Sequence, residues 1–231
     1  MMDDLITFSA YWHVDGNIKL TARKGHIKHA ERKKLDYFIC PEDQHGQFKR
    51  RINLDFNDLP SVPYIKNLTS MCESTDREHL YGKCCWKKGC KRGFKPDVFL
   101  QLATIWTSKV LLFAEMLKHT AANYLMWMDC VTAHNHRQIA ALNSDKCCLN
   151  KYKKNQLTRK IFGGLIENTL PTIKPSACVI KLPRCIVDEF VEKYIKCLQF
   201  VDDNFLIYDE EVVLSIMNQK HPHLFDFSAS K

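Results

Sequence analysis

Tyr124-Leu125-Met126-Trp127-Met128 is an unbroken apolar run, with Asn123 ahead of it and Asp129 closing it. A half-exposed strand alternates apolar and polar residues. A strand without alternation is covered on both faces, as a central strand of a parallel sheet is. The stretch before the run is helical in pattern. Phe99, Leu102, Ile105, Trp106, Lys109, Leu112, Phe113, Met116 and Leu117 recur at helical spacing across 97–119. Asp97, following Pro96, reads as the N-cap of that helix. Helix then buried strand is the repeating unit of an α/β sheet.

The same alternation extends outward in both directions. Leu5–Trp12 has strand character, 17–34 is helix-capable and basic, and Leu35–Cys40 is a short apolar run closed by Pro41. Residues 41–96 read as irregular, with a Cys/His-rich basic insertion around 66–96. Asn135 is placed to cap a short helix through Ala141. Ala177–Ile180 reads as a further buried strand, followed by a helix near 186–199 and a last one over 211–219 that Asp209 opens. The expectation is one α/β domain over 1–231, Rossmann-like, with a mostly parallel central sheet and helices on both faces.

Composition sets the boundaries of function. At 231 residues, 45% hydrophobic and 26% charged, with eight Gly and eight Pro, the chain is neither collagen-like nor low in complexity. It is long enough to bury a core without covalent staples, so its 11 cysteines, an odd number, are not required as a disulfide framework. The first residues are acidic and the following apolar run is broken by Thr7, Ser9 and His13, unlike a secretory signal. Polar residues also interrupt Val98–Leu117, so no membrane span is expected. These features together point to a reducing, cytoplasmic setting.

The 34 Lys and Arg against 26 Asp and Glu give a net charge of +8. Windows 19–34, 83–95 and 146–160 each carry +6, so the remainder is acidic, most clearly 187–211 at −6. Such windows read either as solvated faces or as a basic cleft for a phosphorylated ligand or a nucleic acid. A nucleic-acid-binding module therefore stands as an alternative, although Trp106, Phe113 and Trp127 lie in apolar contexts rather than among the basic residues.

Asp129 is an acid at the carboxyl end of a buried strand, where ligands bind in open α/β sheets. A carboxylate there can hold a divalent cation that neutralises a diphosphate, or it can simply terminate the strand. Cys72, His79, Cys84, Cys85 and Cys90 fall within 19 residues. Zinc takes four Cys or His ligands, commonly in close pairs, and these spacings are loose, so reduced thiols are the first reading, with a structural Zn²⁺ held by Cys72, His79, Cys84 and Cys90, or a disulfide or redox role, as the alternatives.

The string Trp106-Thr107-Ser108-Lys109-Val110-Leu111-Leu112, then Asn123-Tyr124-Leu125-Met126-Trp127-Met128-Asp129 ten residues later, resembles the HtrL/WlaTC-type glycosyltransferase-like family. The tail is similar too, in Tyr208-Asp209-Glu210-Glu211 and in His221-Pro222-His223-Leu224-Phe225. The resemblance implies a GT-A-type (nucleotide-diphospho-sugar transferase-like) fold, with a nucleotide-sugar donor, a hydroxyl acceptor, and Mn²⁺ or Mg²⁺ as cofactor. It makes Asp129 a metal or diphosphate ligand with His223 as a further metal ligand, and Lys109 a phosphate contact or a group that orients Asp129. It places Ala10 and Tyr11 beside the nucleotide, and Asp209 and Glu210 on the acceptor side as catalytic acids. Two departures accompany it. The GT-A metal motif is Asp-x-Asp, whereas this chain reads Asp129-Cys130-Val131, and Pro175-Ser176-Ala177-Cys178 has no glycine where a sugar approaches the backbone. A catalytically degenerate relative that binds a partner is the corresponding alternative.

Overall fold

The computed structural model describes residues 4–14, 31–32, 34–42, 48–74, 95–130, 136–152, 156–159, 165–170, 174–206 and 209–228. Its strands are β1 (Leu5–Ala10), β2 (Tyr37–Cys40), β3 (Arg51–Asn53), β4 (Tyr124–Met128), β5 (Cys147–Tyr152), β6 (Gln156–Arg159), β7 (Leu165–Leu170), β8 (Lys174–Pro183) and β9 (Phe225–Ser228). The helices are α1 (Lys66–Ser74), α2 (Pro96–Met116), α3 (His136–Ala141), α4 (Val187–Asp203) and α5 (Glu210–Lys220).

Seven strands form one sheet in the order β3-β2-β1-β4-β8-β5-β9, and β6 pairs with β7 separately. β1 is parallel to β2 and β4, β2 to β3, and β5 to β9, while β8 runs antiparallel to both β4 and β5. The sheet is thus mixed and mostly parallel, an α/β architecture as the residue pattern predicts.

β4 shows why its sequence does not alternate. Leu125 and Trp127 enter the core under α2, α4 and α5. Met126 and Met128 enter a second core, on the opposite face, with Ile139 of α3. Both faces exclude water, so both sets of side chains are apolar. On the first face Phe8 meets Phe113 edge-on at 4.9 Å and Trp127 at 5.6 Å, locking α2 onto β1 and β4.

Several expectations are corrected. Segment 41–96 is not uniformly irregular, because Ile52 places β3 at the sheet edge and Leu68, Met71 and Cys72 bury one side of α1. Asp97 is not the N-cap of α2: Pro96 occupies the first turn and Lys95 precedes it, with Asp97 in the first turn facing the positive end of the helix dipole. By length and composition α2 does qualify as a span-like helix, yet 67% of its most apolar window is buried inside the fold. Strands β5, β6, β7 and β9 have no counterpart in the residue pattern read above. The helix expected over 17–34 lies outside the described residues, apart from helical residues 31–32 and Lys34, which is in a turn.

The start of α1 is capped from a distance. Asp202, near the end of α4, accepts hydrogen bonds from the backbone N–H groups of Asn67 (2.9 Å) and Leu68 (3.0 Å). Asp202 is buried, so losing it strands two donors at a helix N-terminus. Asp202→Ala is expected to lower the unfolding free energy by about 1.5–3 kcal/mol, read as a lower urea midpoint with an unchanged slope.

Candidate functional site

β1 leads to β2 and β3 on one side of the sheet, and the chain then returns through α1 and α2 to β4 on the other side of β1. The strand order reverses between β1 and β4, and the crevice outside the carboxyl ends of such a pair is the ligand position of open α/β sheets. Phe8 lies opposite Trp127, so Ala10 is level with Asp129. The Sγ of Cys130 lies 3.1 Å from the Ser9 hydroxyl and 3.4 Å from the Ala10 carbonyl oxygen, joining the two strand ends. From the other side the Asp129 N–H donates to the Cys178 carbonyl of β8 at 2.8 Å.

Lys109 projects from α2 into this strand end. Its Nζ lies 2.9 Å from Asp129 Oδ1 and 2.8 Å from Glu210 Oε1, at the first turn of α5. Trp127 Nε1 donates to the same Asp129 oxygen at 2.9 Å, and its ring lies 5.8 Å from the ammonium. The Lys109 side chain is 10% exposed, that of Glu210 2% and that of Asp129 24%. Asp129 is therefore the member of this group that solvent or a ligand reaches.

The three acids that open α5 are placed by different needs. Asp209 is the N-cap, its Oδ1 accepting from the Glu211 N–H at 2.9 Å. Glu210 engages Lys109, and Glu211 Oε1 accepts from the Ala177 N–H of β8 at 3.4 Å. All three are buried, and the helix dipole favours carboxylates at that end.

The expected site residues divide accordingly. Ala10, Lys109, Asp129, Asp209 and Glu210 lie at or behind one strand end. Tyr11 follows Ala10, but its ring is buried in the second core and its N–H donates to the Ile39 carbonyl. His223 is exposed, and its ring contacts that of His221 at 6.1 Å. Cys72 is buried in α1, where burial first, then Glu73 and Asp97, pushes its thiol up to about 12. Its proposed zinc partners His79, Cys84 and Cys90 lie outside the described residues. Three residues at the site were missed. Trp127 could have been found from its spacing two residues before Asp129. Glu211 and the half-buried Cys178, whose thiol is raised to about 11 by burial and then Asp129, carry no local signal.

Among solved structures the chain is similar to mouse xyloside xylosyltransferase 1 in its apo form, with a TM-score of 0.52 at 11% identity. The match covers 97% of this chain and 85% of that one. The fold is glycosyltransferase-like. No protein-family model and no curated protein matches the sequence, so the likeness reaches the GT-A-like fold and not the HtrL/WlaTC-type family in particular.

GT-A glycosyltransferases commonly use a divalent metal, and the described residues at this strand end do not fit one. Asp129 Oδ1 already accepts from both Lys109 and Trp127. The position two residues on is Val131 rather than an acid. Among the described residues, no three Asp, Glu, His or Cys side chains converge as a metal site.

Burial alone would lower the Lys109 pKa, but Asp129 and Glu210 outweigh it and hold it well above the ordinary lysine value. The folded chain then binds this proton more tightly than the unfolded chain does. The stabilisation is complete below the ordinary lysine value and is lost only as pH climbs through the raised one. Lys109→Met leaves the buried Glu210 and the half-buried Asp129 without their counter-ion and is expected to cost about 3–5 kcal/mol. Its melting-temperature deficit against the native chain should stay constant from neutral pH up to about 10, the ordinary lysine range, and narrow above it.

Proposed function

We propose that this chain binds a nucleotide-sugar at the carboxyl ends of β1 and β4 and transfers the sugar to a hydroxyl acceptor. One observation carries the reading: Asp129, the accessible carboxylate, sits at the point of strand-order reversal in a fold shared over 97% of the chain with a xylosyltransferase. Ala10 and the backbone of Tyr11 border the nucleotide side. Asp129 meets a hydroxyl of the donor or acceptor, since a group must lie within hydrogen-bond reach to act on its proton. Asp209 and Glu210 act one step back, Glu210 through Lys109 and Asp209 through the start of α5. Transfer breaks the bond from the anomeric carbon to the diphosphate oxygen and forms one to the acceptor oxygen. The acceptor proton leaves to a base and the nucleoside diphosphate departs. The motif resemblance to the HtrL/WlaTC-type family likewise puts Asp129 at the ligand and has Lys109 orient it, although it gives Asp129 a metal or the diphosphate rather than a hydroxyl. A reducing, cytoplasmic location is part of the same proposal.

A thermal-shift panel of UDP-, GDP- and CMP-sugars, run with Mn²⁺ present, tests the reading. At least one donor is expected to raise the melting temperature, and Asp129→Asn, which keeps the shape of the side chain, should abolish that rise. A panel without any shift rejects the reading. A shift with no product on added acceptors identifies a binding protein of the same fold.

A further inference from the structure

The cation at this strand end is supplied by the chain itself. Lys109 Nζ bridges one oxygen of Asp129 at 2.9 Å and one of Glu210 at 2.8 Å, across 101 residues of sequence. A bridging divalent ion would take that position between two carboxylates, at the shorter distance of about 2.0–2.2 Å typical of Mg²⁺ and similar ions. Lys109 is itself buried, and an ammonium displaced into the fold without a carboxylate would be costly. The Trp127 ring flanks the ammonium while Trp127 Nε1 pins the same Asp129 oxygen. A second cation on Asp129 would also be held a few ångströms from the lysine charge and repelled by it.

We infer that the Lys109 ammonium is the resident counter-ion of the Asp129–Glu210 carboxylate pair, in the place of a divalent metal, and that donor binding at this site is metal-independent. The second half rests on the nucleotide-sugar reading above. The first half does not. Lys109 with its two carboxylates carries a net −1, so the triad orients Asp129 rather than attracting a diphosphate.

Two measurements on the full chain test this. In the first, Mn²⁺ is titrated into the native protein and followed by the electron paramagnetic resonance signal of the free ion. The signal is expected to stay at its free-ion amplitude at stoichiometric protein, and Lys109→Gln to gain binding through the released carboxylates. Uptake of Mn²⁺ by the native chain that disappears in Asp129→Asn overturns the inference. In the second, the thermal shift with a nucleotide-sugar is compared in EDTA and in Mn²⁺, and equal shifts are expected. A shift that requires Mn²⁺ overturns metal independence and leaves the nucleotide-sugar reading standing. No shift in either buffer rejects that reading and metal-independent donor binding with it, and the Mn²⁺ titration of the native chain still decides the role of Lys109.

Discussion

A single buried ammonium holds the working end of this molecule together. Lys109 comes from α2, Asp129 from the end of β4 and Glu210 from the first turn of α5, and the ion pairs among them make one unit of three elements. Burying such charges is costly unless each is paired and hydrogen-bonded. Trp127 supplies an extra donor to Asp129, and the dipole of α5 favours the acids at its start. Glu211 carries the same order on to β8 through the Ala177 N–H. The end of β4 is therefore fixed from beneath by charge and from the side by strand pairing.

The sheet puts that fixed point where chemistry is possible. β1 and β4 are parallel neighbours at the reversal of strand order, and contacts of Cys130 with Ser9 and Ala10 keep their ends together. The antiparallel course of β8 brings the Cys178 carbonyl to the Asp129 N–H and the half-buried Cys178 thiol to the edge of the site. This GT-A-like fold carries Lys109 at its strand-end carboxylate, and the sequence after Asp129, Cys130-Val131, lacks a second acid.

Much of this architecture is legible in the sequence. The unbroken apolarity of β4 reports burial on both faces, the periodicity of α2 reports its core-facing side, and Asp209 does cap α5. These signals are local, and local patterns survive in a single sequence. What escaped is made of distant partners or short elements. The cap of α1 comes from Asp202, 135 residues from Asn67. The Lys109–Glu210 pair has no spacing to reveal it. β3 has three residues and one buried side chain. β5 hides Cys147, Cys148 and Leu149 inside a basic window, and β9 is defined by its pairing with β5. His223 and Tyr11 were placed by motif alone. The structure leaves the first exposed beside His221 and sinks the ring of the second into the core.

The claim that ligand and charge meet between β1 and β4 is tested most directly by hydrogen–deuterium exchange with and without a bound nucleotide-sugar. Slowed exchange confined to the backbone around Ala10–Trp12 and Asp129–Cys130, with little change across α1 and the β3 edge, is the predicted result. Protection that spares both strand ends and appears elsewhere on the chain would contradict it.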